Sequence, residues 1–307
     1  MIGMPGKSFG GALPPLTEEE LRLKSTLRAD VEMLAGEIGE RNVFHAPKLE
    51  AAARYIETEF VKAGWRVEHH RYEVHGVSCD NLEVTLPGSS RAQESIVVGA
   101  HYDSVSGCAG ANDNGSGVAG LLALGRLWQG RSPALTVRFV AFVNEEPPFF
   151  HTEQMGSLVY ARRCQARGDH IVGMLALETI GFYSSEPGSQ KYPFPVGLFY
   201  PSHGDFLAFV GDHSSRRFIR RCVGAFRRRT SFPSEGAALP RALPGIGWSD
   251  HWSFWQVGYP ALMLTDTAPF RYPHYHTVED TPDKLDYERT ARVVAGVDRL
   301  VQDLANP

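Results

Sequence analysis

The chain has 307 residues, of which 43% are hydrophobic and 21% charged, enough apolar material for a sizeable core. That composition excludes a disordered chain and a disulfide-stapled miniprotein. With 31 basic and 35 acidic side chains the formal charge is -4, which argues against nucleic acid as a partner, since such domains carry a strong basic excess. No stretch approaches the ~20 apolar residues of a membrane-spanning helix, and the opening MIGMPGKSFGGALPPLTEEE lacks the apolar run of a secretion signal. The expectation is a cytoplasmic protein with no membrane partner. Cys79, Cys108, Cys164 and Cys222 form no C-x-x-C pair, so they are read as reduced, buried thiols.

Residues 1–16 are rich in Gly and Pro and read as a loose arm, with one catalytic domain over 17–307. Thr17 and Glu20 form a capping-box pattern ahead of Leu27, Val31, Leu34, Ala35 and Ile38 at helical spacing. Leu49, Ala53, Ile56 and Phe60 signal a second helix, stopped at Gly64. NLEVTL (81–86) alternates like a half-exposed strand. SIVVGA (95–100), LTVRFVAFV (135–143), IVGMLAL (171–177) and PALMLT (260–265) are continuous apolar runs of the buried-strand kind. Helices follow the first two, through Val118 to Trp128 and over 156–164, and a last helix covers about 286–304. Strands alternating with helices predict an α/β fold, a single domain with a central, mostly parallel twisted sheet flanked by helices on both faces. RRFIRRCVGAFRRR (216–229) reads as a helix with one apolar face and a solvated arginine face.

Acids and histidines recur where the predicted strands end. The first buried strand runs into His101-Tyr102-Asp103, the second into Asn144-Glu145-Glu146, the third into Glu178. The fourth leads to a loop with His274 and His276. Asp113 lies in the turn-rich segment 110–117. Ligands of an open parallel sheet collect outside the carboxyl ends of its strands, so these positions can converge. An H-x-D or a Glu-Glu pair alone is weak. A charge at the end of a buried strand, however, needs a partner or a metal, and five such groups favour a shared cation.

These segments resemble the zinc metallopeptidase family of bacterial leucine aminopeptidase, aminopeptidase Y, glutamate carboxypeptidase and the glutaminyl cyclases. The resemblance is carried by VVGAHYDSV (97–105), GANDNGSGVAGLL (110–122), RFVAFVNEE (138–146), MLALETIGF (174–182), SDHWSFWQVGYPALMLTDT (249–267) and YHTVEDTPDKLDY (275–287), with GERN (39–42) in the helical lead-in. It implies a single α/β domain and two Zn2+ ions. His101 and Glu178 would hold one ion, Glu146 and His276 the other, Asp113 would bridge, and Glu145 would be the general base. Imidazole nitrogen and carboxylate oxygen suit zinc, and a short bridging carboxylate suits closely paired metals. Three carboxylates against two dications leave one positive charge for a bridging hydroxide, the nucleophile. Asp103 is placed to accept the second ring N–H of His101, Asp250 resembles a family acid near the metals, and Tyr275 is a candidate for stabilising an oxyanion.

The implied function is an aminopeptidase acting on peptide substrates by two-metal hydrolysis. A glutaminyl cyclase-like enzyme with one zinc and a metal-free binding module of the same fold are the alternatives. Two departures from the family stand out: Glu178 occupies a position usually held by Asp, and PPFFHTEQM (147–155) interrupts the text after Glu146. That insertion reads as a specificity wall or as packing, with His151 a further candidate ligand. Phe149, Phe150, Trp248, Trp252, Trp255, Phe270 and Tyr272 suggest an apolar pocket for the first residue of a substrate.

Overall fold

A computed structural model describes residues 3–307. In chain order its elements are α1 (Glu18–Val31), a π-helical turn (Glu32–Ile38), α2 (Ala46–Lys62), β1 (Glu68–Val74), β2 (Val77–Leu86), β3 (Arg91–His101), a second π-helical turn (Ala111–Ser116), α3 (Gly117–Trp128), β4 (Leu135–Phe142), α4 (Gly156–Arg167) and β5 (His170–Glu178). Then follow β6 (Leu207–Asp212), α5 (Arg216–Arg229), β7 (Ser234–Leu239), α6 (His251–Gln256), β8 (Ala261–Thr265), α7 (Ala268–Arg271) and α8 (Tyr287–Ala305). The strands make one sheet in the order β1-β2-β4-β3-β5-β8-β6-β7. Its centre, β4-β3-β5-β8, is parallel, while β1 and β2 pair antiparallel at one side and β6 runs antiparallel to β8 at the other.

The central strands read as unbroken apolar runs because both of their faces are covered. In β3, Ile96, Val98 and Ala100 join a core with α1, α2, α3, α5 and α8, whereas Val97 points to the other face, into a smaller core with Tyr160, Ala161 and Cys164 of α4 and Phe254 and Trp255 of α6. The Thr17–Glu20 capping box forms, and Gly64 ends α2 with φ 92°. The mixed α/β sheet expected from the sequence is therefore present, with three strands the pattern did not single out: β1, β6 and β7.

The described part of the arm, residues 3–16, lies along α5, β7 and α8. Arg227 donates to the carbonyls of Pro5 and Gly6, Ser8 accepts from the Ser234 N–H at 2.9 Å, and Arg292 reaches the Pro14 carbonyl. Met1 and Ile2 lie outside the described residues. In α5 the apolar face is buried, and several of its arginines are engaged within the chain: Arg228 and Arg229 with Asp303, Arg221 with the Leu304 carbonyl. All four cysteines are unpaired and buried. Among the described residues no helix is long and apolar enough to cross a membrane.

Candidate metal centre

The parallel strands β4, β3 and β5 lie side by side and end at the same edge of the sheet. His101 is the last residue of β3 and Glu178 the last of β5; Glu145 and Glu146 follow β4 by three and four residues. Asp113 is delivered by the π-helical turn ahead of α3. That turn opens at Gly110, in the left-handed region at φ 64°, where a Cβ would meet the Asp113 carbonyl at 2.3 Å. It closes at Gly117, whose missing Cβ leaves room for the Asn114 side chain and the Leu177 carbonyl. Asn114 uses that room: its amide donates to the Leu177 carbonyl, and its Oδ1 accepts from the N–H groups of Gly117 and Thr179. The turn is thereby tied to the end of β5.

Two groups of side chains converge here. The Nε2 of His101 lies 3.3 Å from Asp113 Oδ1 and 3.3 Å from Glu178 Oε2. The Nε2 of His276 lies 3.0 Å from Asp113 Oδ2 and 3.4 Å from Glu146 Oε2. Each group could hold one ion, and Asp113 belongs to both through different oxygens. His101 Nε2 and Glu146 Oε1 are buried without a hydrogen bond among the described residues. Buried polar atoms in that condition are costly, and a cation would satisfy both. The donor set fits zinc: imidazoles and carboxylates, converging from separate elements, with nothing bulky between. The Glu178 side chain reaches the group despite its extra methylene, and Ser249 holds its Oε2 at 2.8 Å.

The electrostatics carry the same message. Burial raises the Glu145 carboxyl well above its ordinary value, and Glu146 and Glu178 add to the rise while His101 opposes it. Glu146 is pushed up to about 7 by burial and by Asp113. Burial disfavours the charged ring of His276, but Asp113 and Glu146 outweigh it and push it up to about 10. Acids that resist ionising beside bases that resist deprotonating describe a site short of positive charge. Glu145 itself belongs to neither donor group. It stands 3.8 Å from His101 Nε2, beside the site rather than in it.

Asp103 does something other than expected. The His101 Nδ1 lies 3.2 Å from the Asp103 backbone carbonyl, nearer than its carboxylate at 3.6 Å. The carboxylate instead accepts the backbone N–H groups of Glu145 and Glu146, at 3.1 and 3.0 Å, and so aims both acids. Tyr275 stacks on His276 with ring centroids 3.9 Å apart. Asp250 is fully buried, both carboxylate oxygens lack a hydrogen bond, and burial pushes it up to about 7. His274 turns away, paired with Glu279 at 2.9 Å. His151 is sandwiched between Phe150 and Trp252 and bonds the Gly247 carbonyl at 2.9 Å, outside both donor groups. The 147–155 insertion thus buttresses the 247–248 segment.

Three residues that the sequence reading did not use prove important. Asp280 accepts the backbone N–H groups of Asn112 and Asp113 and the Tyr272 hydroxyl, fixing the turn that carries Asp113. Arg41, fully buried, donates to the carbonyls of Tyr102, Ala109 and Gly110, joining the lead-in to the His101 and Asp113 segments. Asn114 is the third. All three sit inside the motif segments, but nothing in their residue type distinguishes a backbone clamp from a surface polar group. Beside the centre lies a hollow, open to solvent, bordered by Glu178, Tyr275, Trp248 and Phe270 and floored by β8, β6 and β7. Of the aromatic residues singled out for an apolar pocket only Trp248 and Phe270 border it; Phe149, Trp255 and Tyr272 are core.

An open α/β sheet with imidazole and carboxylate donors gathered outside its strand ends defines a class, α/β proteins with a candidate metal centre at the carboxyl edge of the sheet. Within that class the chain belongs to Peptidase family M28, which matches it over residues 81–301. A similar curated protein is "Uncharacterized protein YfbL" of Escherichia coli (strain K12), 38% identical over 284 residues, or 90% of this chain and 86% of that one. A "Probable leucine aminopeptidase" of Arthroderma otae is 27% identical over 234 residues, covering 70% of this chain and 55% of that protein, so the chain spans about half of that longer relative. In fold it is similar to a zinc aminopeptidase from Bacillus subtilis (TM-score 0.70, 15% identity, 92% of this chain and 95% of that one) and to the glutaminyl cyclase of Fimbriiglobus ruber (TM-score 0.68, 20% identity, 96% and 97%).

Proposed function

We propose that this peptidase is a two-zinc aminopeptidase that removes the first residue of peptides. The observation that carries the reading is the pair of donor groups sharing Asp113, one oxygen to each. His101 and Glu178 would hold one ion and Glu146 and His276 the other. Zinc there supplies Lewis acidity, which brings the pKa of water toward ~7 and polarises a carbonyl.

The rest falls to the chain's own side chains. Glu145, aimed by the Asp103 clamp on its backbone, takes a proton from the attacking water and returns it to the departing amine nitrogen. The Tyr275 hydroxyl, bordering the hollow and the site, donates to the oxyanion. The hollow receives the side chain of the first residue, and the surrounding carboxylates hold its α-ammonium group.

A glutaminyl cyclase is the second reading, favoured by the likeness in fold to such an enzyme, and the two separate cleanly. Purified protein should contain about two zinc ions per chain and hydrolyse aminoacyl anilides. Chelation should abolish turnover, and zinc should restore it. Pyroglutamate released from a Gln-initiated peptide, with one zinc per chain and no anilide hydrolysis, would replace this reading with the cyclase.

A further inference from the structure

The floor of the hollow is set by sheet register. Glu178 pairs with Thr265, Thr265 with Ala208, and Ala208 with Glu235. These four residues form one straight row across β5, β8, β6 and β7, and all four border the hollow. Residues paired across a sheet present their side chains to the same face, so the row has a carboxylate at each end and small side chains between. The row behind it, Ala176, Met263, Val210 and Ala237, is apolar. Three strand spacings, ~14 Å, separate the backbones at the two ends. One carboxylate belongs to the metal centre; the other has no role in the proposed hydrolysis.

Glu235 is an unusual occupant of such a wall. Its side chain is only 24% exposed. The nearest cation, Arg227, reaches round the edge strand from the opposite face and stops 3.7 Å away. Four of the five N–H donors of Arg227 go elsewhere, to Ser234 Oγ, the Ser234 carbonyl and the carbonyls of Pro5 and Gly6, and its Nη2 makes only a long ion pair with Glu235. The two flanking hydroxyls are also spent, Tyr192 on the Pro201 carbonyl and Tyr200 on the Gly236 carbonyl. The carboxylate therefore borders an apolar hollow with no hydrogen bond and one long ion pair. Burial pushes its carboxyl up and Arg227 opposes the rise, as expected for a half-buried charge whose partner is distant.

Resting on the aminopeptidase reading, we propose that Glu235 is the specificity-determining residue at the far end of the first-residue pocket, and that it selects peptides beginning with lysine or arginine. An extended lysine or arginine carries its terminal nitrogen roughly 6–7 Å from the α-carbon, from bond lengths near 1.5 Å, about half of the ~14 Å between the ends of the row; the inward-reaching Glu235 side chain and an N–H···O contact of about 3 Å would span the rest. The aliphatic stem would lie over Thr265, Ala208 and Val210, and the charged end would give the Glu235 carboxylate the hydrogen bond it lacks. A purely apolar side chain of the same length covers the floor but leaves Glu235 further desolvated and without a hydrogen bond.

The bland alternative is that Glu235 is an inward-pointing charge that protects an edge strand from wrong pairing. Lysine and norleucine, which differ at the stem's end by an ammonium against a methyl group, separate the two. The zinc-loaded protein should hydrolyse Lys-anilide with kcat/KM about tenfold above norleucine-anilide. In Glu235→Gln that ratio should collapse to about 1, and Glu235→Asp should recover part of it. A ratio unchanged by Glu235→Gln, or a native preference for norleucine, overturns the proposal. A binding arm keeps the two readings distinguishable. With Glu145→Gln protein, calorimetry should give lysinamide about tenfold tighter binding than norleucinamide, equalised by adding Glu235→Gln. Equal affinities without that second change overturn the role of Glu235, whereas tighter lysinamide binding with no hydrolysis of any anilide by the native protein counts against the aminopeptidase reading alone.

Discussion

Glu145 and Glu146 are neighbours in sequence and stand differently: Glu146 joins His276 and Asp113 in a donor group, while Glu145 stands beside the site near His101. The consequence is a separable variant. Glu145→Gln keeps the size and the backbone clamp from Asp103 but cannot carry a proton, so zinc content should stay at the native level while kcat falls by about 10³-fold. Metal analysis and steady-state kinetics on one preparation check both halves, and loss of zinc in the variant would make Glu145 a ligand instead. His251 offers a test of a different kind. Burial lowers it to about 4 in the fold, with one ring nitrogen on the Ile246 carbonyl and the other without a partner. The unfolded chain, titrating near 6.5, then binds more protons than the folded one between about pH 6.5 and 4. Stability from this group is complete above that window and lost as pH falls through it, up to about 3 kcal/mol. Denaturant unfolding at pH 7 and pH 5 should show that loss in the native protein and a smaller one in His251→Gln.

The elements divide sharply by how much of them the sequence displayed. β3, β4, β5 and β8 are buried on both faces, and their runs of Val, Leu, Ile and Phe announce it. The acids and histidines just beyond them were legible for the same reason, since a charge after such a run has to be explained. β1 (EHHRYEV) is a polar edge strand with four exposed positions, and β7 (SEGAAL) an edge strand of small residues with one charge, so neither carries the β-branched signature of a strand. Missing β6 and β7 hid the floor of the hollow, which exists only once their register is known, while two of its aromatic borders, Trp248 and Phe270, were legible in the sequence. The Asp113 turn was legible as a turn, but not its geometry. There, Gly117 is required by packing and not by its dihedrals, which are helical. Gly117→Ala would drive a methyl group to 2.2 Å from Asn114 Oδ1 and 2.5 Å from the Leu177 carbonyl. The cost should be at least about 2 kcal/mol in unfolding free energy, the usual penalty of overpacking, with weaker zinc retention because Asp113 moves. Unchanged stability would show that the turn is not anchored through Asn114.

For the whole molecule, the sheet acts as a frame that gathers distant parts of the chain at one edge. Residues from 101 to 276 meet there, and the clamps behind them, Asp103, Asp280, Arg41 and Asn114, bind backbone to backbone support. Site geometry of this kind depends on rigid elements and locked neighbours more than on the ligands themselves. The same frame extends past the candidate metal centre to β7, so that Glu178 and Glu235 stand at the two ends of one row of the sheet, the row on which the proposed recognition of a first residue rests. Charge is uneven at this scale: the net charge of the chain is only -4, yet Asp113, Glu145, Glu146 and Glu178 are gathered, all buried, at one edge of the sheet. The account stands on two cations sharing Asp113. X-ray diffraction from zinc-loaded crystals, with anomalous data above and below the zinc edge, examines this directly. It should reveal two peaks roughly 3.5–4 Å apart, one between His101 and Glu178, the other between Glu146 and His276, with Asp113 touching both. A single peak at full zinc occupancy, or density away from these five residues, would contradict it.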